Sequence, residues 1–280
     1  MKKKTLLLSL SITGLLFLAL FISISSPANA SGGTPPPDAV AITSFVPPQS
    51  METGYECALP YFSAELDKLP TSLHIMNTDE TSTMVNLYLW GPDGGEWQEA
   101  TLITRTLPPH GSTLIAQDDF YNASLGEILT GTGWVTATGN IACLVKATPG
   151  PVSPNYLMAY TPRPDTMAYG LLFPWIGTER EDLHPIVYLQ NGATQPATVT
   201  LQLLIGESAR STVTVQLQPH ALLTYDPVLD GGLDPTEFGM LAVNSWEPGL
   251  AGYLALLDET GAPVEAWPGS PNITTAGDFT

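Results

Sequence analysis

The chain states one pattern twice. Pro60-Tyr61-Phe62, then Asn77 closing an apolar run, then Pro109-His110, then a strand-like stretch from Gly133 to Ile141-Ala142, return as Pro174-Trp175-Ile176, Asn191, Pro219-His220, Gly239 and Leu250-Ala251. The offsets are 114 for the first two landmarks, 110 for the third and 106 to 109 for the last. Loops accept insertions and paired strands do not, so a drift of this size is what loop-length changes between duplicated domains produce.

Within each copy the hydrophobic period is two. Val85-Asn86-Leu87-Tyr88-Leu89-Trp90, Val199-Thr200-Leu201-Gln202-Leu203 and Val213-Thr214-Val215-Gln216-Leu217 alternate apolar and polar residues, the mark of strands with one buried face. Gly, Pro, Asn and Asp punctuate such segments near 55–62, 72–77, 83–90, 100–107, 111–117, 133–138 and 141–147, and again near 170–176, 185–190, 197–205, 211–217, 221–226, 239–245 and 250–258. No sustained helical stripe interrupts them. Half-solvated strands joined by short turns predict antiparallel sheets packed face to face, an all-β chain of two domains, 55–148 and 169–261. A Pro-rich arm (31–54), a Pro-rich extended linker (149–168) and a tail of small, polar and Pro/Gly residues (262–280) flank them.

About seven strands per copy is the pattern of an immunoglobulin-like sandwich. At the Asn after the second strand, the Pro-His turn and the Gly-led strand followed by Ile-Ala or Leu-Ala, the chain resembles the tandem immunoglobulin-like β-sandwich repeats of secreted and surface bacterial proteins. These are packing and turn residues. The resemblance therefore implies an extracellular structural or adhesive setting and no reaction; the antibody-type Cys and Trp arrangement is missing.

Residues 1–30 have the form of an export signal: Lys2-Lys3-Lys4, an apolar stretch from Leu6 to Ile24, and Ala28-Asn29-Ala30 before Ser31. Cleavage after Ala30 is expected, giving a secreted, surface or periplasmic protein without a membrane span. An uncleaved anchor is the rival, because the apolar stretch is long enough to cross a bilayer. Removing residues 1–30 takes away three of the nine basic residues and none of the 27 acidic ones, so the formal net charge moves from −18 to −21. Such a surface repels nucleic acid and anionic membranes and favours solubility. The two cysteines, Cys57 and Cys143, both lie in the first copy, where an exported pair is expected to form a disulfide. Its loop would give a nominal stabilisation of about 4 kcal/mol. The corresponding positions in the second copy are Leu171 and Gly252.

Three groups carry candidate chemistry. Asp226, Asp230, Asp234 and Glu237 stand at positions 1, 5, 9 and 12 of a calcium-loop-like segment with Gly231 at position 6. Val228 at position 3 cannot ligate and Pro227 and Pro235 interrupt the loop, so an acidic solvated turn competes with a non-helical calcium site; Asp118-Asp119 occupies the equivalent turn of the first copy. His110 and His220 follow Pro at the same turn, and no nucleophile recurs beside them: Ser112 is matched by Leu222, and Gly206-Glu-Ser208-Ala-Arg210 lacks the second Gly of a nucleophile elbow. His74 and His184 match no metal spacing. Tyr88, Trp90 and Trp97 offer flat rings for a glycan, or else, with Trp134, cover a domain seam or the rim of the sandwich. The second copy has no matching rings.

The sequence thus predicts a non-catalytic exported structural or adhesive protein, whose partners are cell-surface or extracellular-matrix components, polysaccharide, or copies of itself. A carbohydrate-binding module using Tyr88, Trp90 and Trp97 is one alternative. Another is a filament subunit, in which the strand-like Ala39 to Val46 of the arm adds to the sheet edge of a neighbour.

Overall fold

The structure is a computed structural model, and it describes residues 54–65, 70–96, 99–124, 126–147, 157–160, 169–177, 182–206, 208–234, 237–259, 261 and 263–271. Residues 1–30, expected to be an export signal, most of the arm and most of the C-terminal tail lie outside them. The described residues form antiparallel β-sheet throughout, with one short helix among them.

The first half contributes β1 (Gly54–Ser63), β2 (Thr71–Asn77), β3 (Thr83–Trp90), β4 (Thr101–Leu107), β5 (Ser112–Ile115), the helix α1 (Gln117–Ala123), β6 (Thr130–Ala147) and β7 (Leu157–Tyr160). The second contributes β8 (Gly170–Gly177), β9 (Leu183–Asn191), β10 (Ala197–Ile205), β11 (Ser208–Leu217), β12 (Leu222–Tyr225), β13 (Phe238–Ser245), β14 (Leu250–Asp258), β15 (Pro263–Pro268) and β16 (Ser270–Pro271).

The duplication is written in the hydrogen-bond ladders. Tyr88 lies opposite Trp134, itself opposite Ala58, just as Gln202 lies opposite Ala242, itself opposite Leu172. His74 faces Leu144 and Leu114; Tyr188, its counterpart, faces Tyr253 and Thr224. Both copies carry the same β-bulge: two residues, Pro60-Tyr61 or Pro174-Trp175, are skipped between the pairs Leu59–Gly133 and Phe62–Gly131, or Phe173–Leu241 and Ile176–Gly239. The ladder therefore matches Gly239 with Gly131, two residues before the Gly133 that the sequence comparison aligned. A Cβ on Gly131 would collide with the Trp90 carbonyl oxygen, and one on Gly239 would meet that of Leu204 at 2.9 Å. A bulge that presses backbone on backbone leaves room for hydrogen only.

In the first half, β6 begins between β1 and β3 and ends between β2 and β7, serving two sheet regions in turn. Leu59, Phe62, Leu87 and Val135 on one region pack against Leu73, Ile75 and Val145 on the other. The second half makes the same layers with separate strands: β11-β10-β13-β8-β16 against β12-β9-β14-β15, joined through Val199, Leu201, Leu203, Val187, Leu189 and Leu254. All the described residues belong to one compact unit.

Several expectations need correction. The segments expected near 133–138 and 141–147 form one continuous strand, β6. The acidic turn at Asp118-Asp119 is the first turn of α1, where Asp119 accepts the Ala116 N–H at 2.9 Å and Phe120 stacks on Phe62 at 5.0 Å; one buried ring suffices to dock a helix too short to show a periodic stripe. The Pro-rich linker contains β7 and the tail contains β15 and β16. Finally, β9 and β14 are buried on both faces, not one.

Cys57 and Cys143 are joined by a disulfide across the two layers of the first half, Cα to Cα 6.4 Å. At the equivalent place in the second half, a Cβ on Gly252 would lie 3.3 Å from Leu171 Cδ1. Aliphatic packing occupies there the space that sulfur fills in the first copy.

Candidate functional site

The duplicated polar landmarks serve the fold. Asn77 is fully buried; its Nδ2 donates to the carbonyls of Thr81 (2.7 Å) and Pro108 (2.9 Å), and its Oδ1 accepts from the Asp79 N–H and the Thr83 hydroxyl. Asn191 does the same work, donating to Gln195, Leu217 and Gln218 carbonyls and accepting from the Ala193 N–H. Each amide thus ties the end of its strand to the Pro-His turn. In that turn the N–H of Gly111 or Ala221 bonds back to the carbonyl of Pro108 or Gln218. His110 and His220 occupy its third position with φ of 53° and 58°, the non-glycine positive φ values among the described residues. Histidine is one of the few side chains that tolerates this region.

The same turn ends in two different places. His110 is exposed, with Nε2 3.1 Å from the Glu80 carboxylate. His220 is wholly buried in a seam between the two halves: Trp90 stacks on it at 3.9 Å and Trp134 meets it edge-on at 6.2 Å. Burial pushes its imidazole down to about 4. The Thr132 hydroxyl donates to the His220 carbonyl, and Gln190 Nε2 donates to that of Gly133 at 3.1 Å. The loop after β3 clasps the turn from outside, since Gly95 N–H bonds to the Pro219 carbonyl and Leu222 N–H to that of Pro92.

Further along the seam, Tyr61 packs on Tyr188 at 4.3 Å, and Tyr188 on Tyr253 at 5.2 Å. Burial pushes the Tyr61 hydroxyl up to about 12 and raises those of Tyr188 and Tyr253 well above the ordinary phenol value, so all three stay protonated near neutral pH. The seam therefore joins the outer face of the β1-β6-β3 layer to the outer face of the β9-β14 layer. This is why β9 and β14 lack a polar side. The signal was present as near-continuous apolar runs, Pro185 to Leu189 and Leu250 to Leu257, which denote strands covered on both faces.

Of the rings considered for a glycan, Trp90 is 1% exposed, its indole N–H donates to the Glu96 carbonyl, and its face is taken by His220. Tyr88 is half-buried beside Ala58, Trp90, Trp134 and Ala251, and Trp97 lies outside the described residues.

Three of the four acids considered for calcium, Asp226, Asp230 and Glu237, accept hydrogen bonds from protein groups. Asp226 accepts from the N–H groups of Val228 and Leu229 through Oδ1 and meets His184 Nε2 at 2.6 Å through Oδ2. Asp230 accepts the Asp226 N–H, the counterpart of Asp119 with Ala116. Glu237 accepts from Arg210 (2.8 and 3.0 Å) and from the Asp234 N–H. Among the described residues no three His, Cys, Asp or Glu side chains come together as a metal would need. His74 sits half-buried on β2, its imidazole pushed down by burial and by Lys146.

No protein-family model matches the chain, and no curated protein matches it. Among solved structures it is similar to a crystal structure described as Thermotoga maritima 1070, at 18% identity over 39% of this chain and 97% of that one, with a TM-score of 0.32. A likeness this low carries no argument about fold or function. No helix among the described residues is long and apolar enough to cross a membrane, and the disulfide is compatible with a non-cytoplasmic protein.

Proposed function

We propose that this is a non-catalytic, exported structural or adhesive protein built from two immunoglobulin-like sandwich repeats, acting at the cell surface or outside the cell. One observation carries the reading: the polar landmarks common to both repeats, the strand-end Asn and the Pro-His turn, shape and tie the backbone. Asn77 and Asn191 tie turns, the two Pro-His turns bend the chain, and Tyr61, Trp90 and Trp134 of the first repeat are drawn into the seam. The export signal and the acidic surface support the extracellular setting. The test pairs protease shaving of intact cells with turnover assays on the purified exported chain. Cleavage of the chain from intact cells without turnover is expected. Activity abolished by replacing one side chain, such as His184 or His110, would overturn the reading.

A second reading, assembly by strand addition of Ala39 to Val46, is supported by β11. This ten-residue edge strand pairs with β10 on one side among the described residues, and its Ser, Thr and Val side chains suit a further strand. The carbohydrate-binding alternative now rests on Tyr88 and Trp97, because Trp90 has no open face. Glycan-array binding lost on Tyr88→Ala would support it.

A further inference from the structure

We propose that copies of this chain associate head to tail through the two unused halves of its own internal seam. The seam is heterologous: the outer face of β1-β6-β3 in the first repeat meets the outer face of β9-β14 in the second. Because the repeats share one ladder, each also possesses the face it does not use. The second repeat has a counterpart of the β1-β6-β3 face, and the first has a counterpart of the β9-β14 face. Heterologous contacts that do not close on themselves run on into open chains.

Each of these faces carries exposed apolar side chains, beside Gln202 on one and beside His74 and Lys146 on the other. The bulge that aims Tyr61 at Tyr188 recurs at Pro174-Trp175, where Trp175 is 61% exposed and touches Phe238. The counterpart of Tyr188 is His74, half-buried, and around it stand Met76 at 41% and Leu114 at 50% exposure. Head-to-tail docking would set Trp175 of one copy over His74, Met76 and Leu114 of the next. The internal seam dictates this occupant, since it displays the same pair of faces already joined.

The contact between copies is weaker than the seam. Tyr88, Trp90 and Trp134 are replaced in the second repeat by Gln202, Leu204 and Ala242. The hairpin joining β10 to β11 also replaces the longer loop that clasps the Pro219-His220 turn. Two acidic chains repel one another as well, so added salt strengthens the association. The inference is independent of the exported, non-catalytic reading, which survives if the chain is a monomer.

The test is sedimentation velocity on the exported chain across concentration and salt, with Trp175→Asp and Leu114→Asp, both exposed, and thermal melts to check folding. Weight-average mass rising with concentration in the parent is expected, falling to that of one chain in either variant. An equimolar mixture of the two variants should give particles of two chains and no larger, since each keeps one working face. Met76→Asp repeats the test on the second face if Leu114→Asp fails to fold. A single-chain mass at every concentration, assembly that survives both substitutions, or a mixture that stays monomeric would overturn the proposal. So would assembly lost on deleting residues 31–50 with Trp175 in place, which would assign it to strand addition.

Discussion

Trp90 lies flat on His220, ring centroids 3.9 Å apart and planes 13° from parallel, although the two residues stand in different repeats. This pair decides how the chain behaves as a whole. It converts a loop turn of one sandwich into a core residue of the other, and it ties the protonation of one imidazole to the seam.

The imidazole of His220 is held at about 4 by burial, against 6.5 in an exposed chain. Between these values the unfolded chain takes up a proton that the folded chain refuses. Stability is therefore full above pH 6.5, falls as pH drops towards 4, and loses nothing more from this group below that. The loss amounts to about 3 kcal/mol at most. His220→Asn, which accepts the positive φ, should flatten the slope between pH 6.5 and 4 in urea titrations relative to the parent; an unchanged slope would show that His220 does not titrate in the seam.

Trp90→Ala should cost about 3–5 kcal/mol, the range for emptying a buried indole site. Calorimetry should show the parent melting as one cooperative unit and the variant splitting into two transitions. A parent that already melts in two steps would mean the seam does not couple the halves.

Asn77→Ala and Asn191→Ala each remove a buried amide that serves several backbone groups. About 2–3 kcal/mol should be lost in each case, because the carbonyls stay buried without a donor. Chemical denaturation gives the number directly. Aspartate should not rescue either site, since it keeps the acceptor and lacks the N–H donors.

Replacing Cys57 and Cys143 together with alanine should destabilise by about 2–4 kcal/mol, by releasing a loop of 86 residues in the unfolded chain. Hydrogen exchange should place most of the lost protection in the first half, because Leu171 over Gly252 needs no bridge.

Asp226→Ala should cost about 1–2 kcal/mol through the lost N–H acceptor at Val228 and Leu229. Calcium at millimolar concentration should leave the melting temperature of the parent unchanged. A rise of several degrees that disappears in the variant would instead assign the acids to the ion.

Strand positions were legible because alternation such as Val199-Thr200-Leu201-Gln202-Leu203 has one cause, a single buried face. The seam was harder to read. Pro185 to Leu189 and Leu250 to Leu257 carry its signal, yet a run without a polar face states only that both sides are covered, and not by what. Trp90 looked like a ligand ring for the same reason: an aromatic on the outward side of a strand reads alike whether a sugar or another layer lies over it.

From residues alone came the duplication, the all-β class and the pairing of Cys57 with Cys143, because each depends on local period or on a covalent chemistry with few partners. Tertiary structure decided the rest. It buried His220 and left His110 in water, and it covered Tyr61 while leaving Trp175 bare, although each pair shares one local conformation. Burial depends on what a distant part of the chain places alongside, and no nearest-neighbour pattern encodes that.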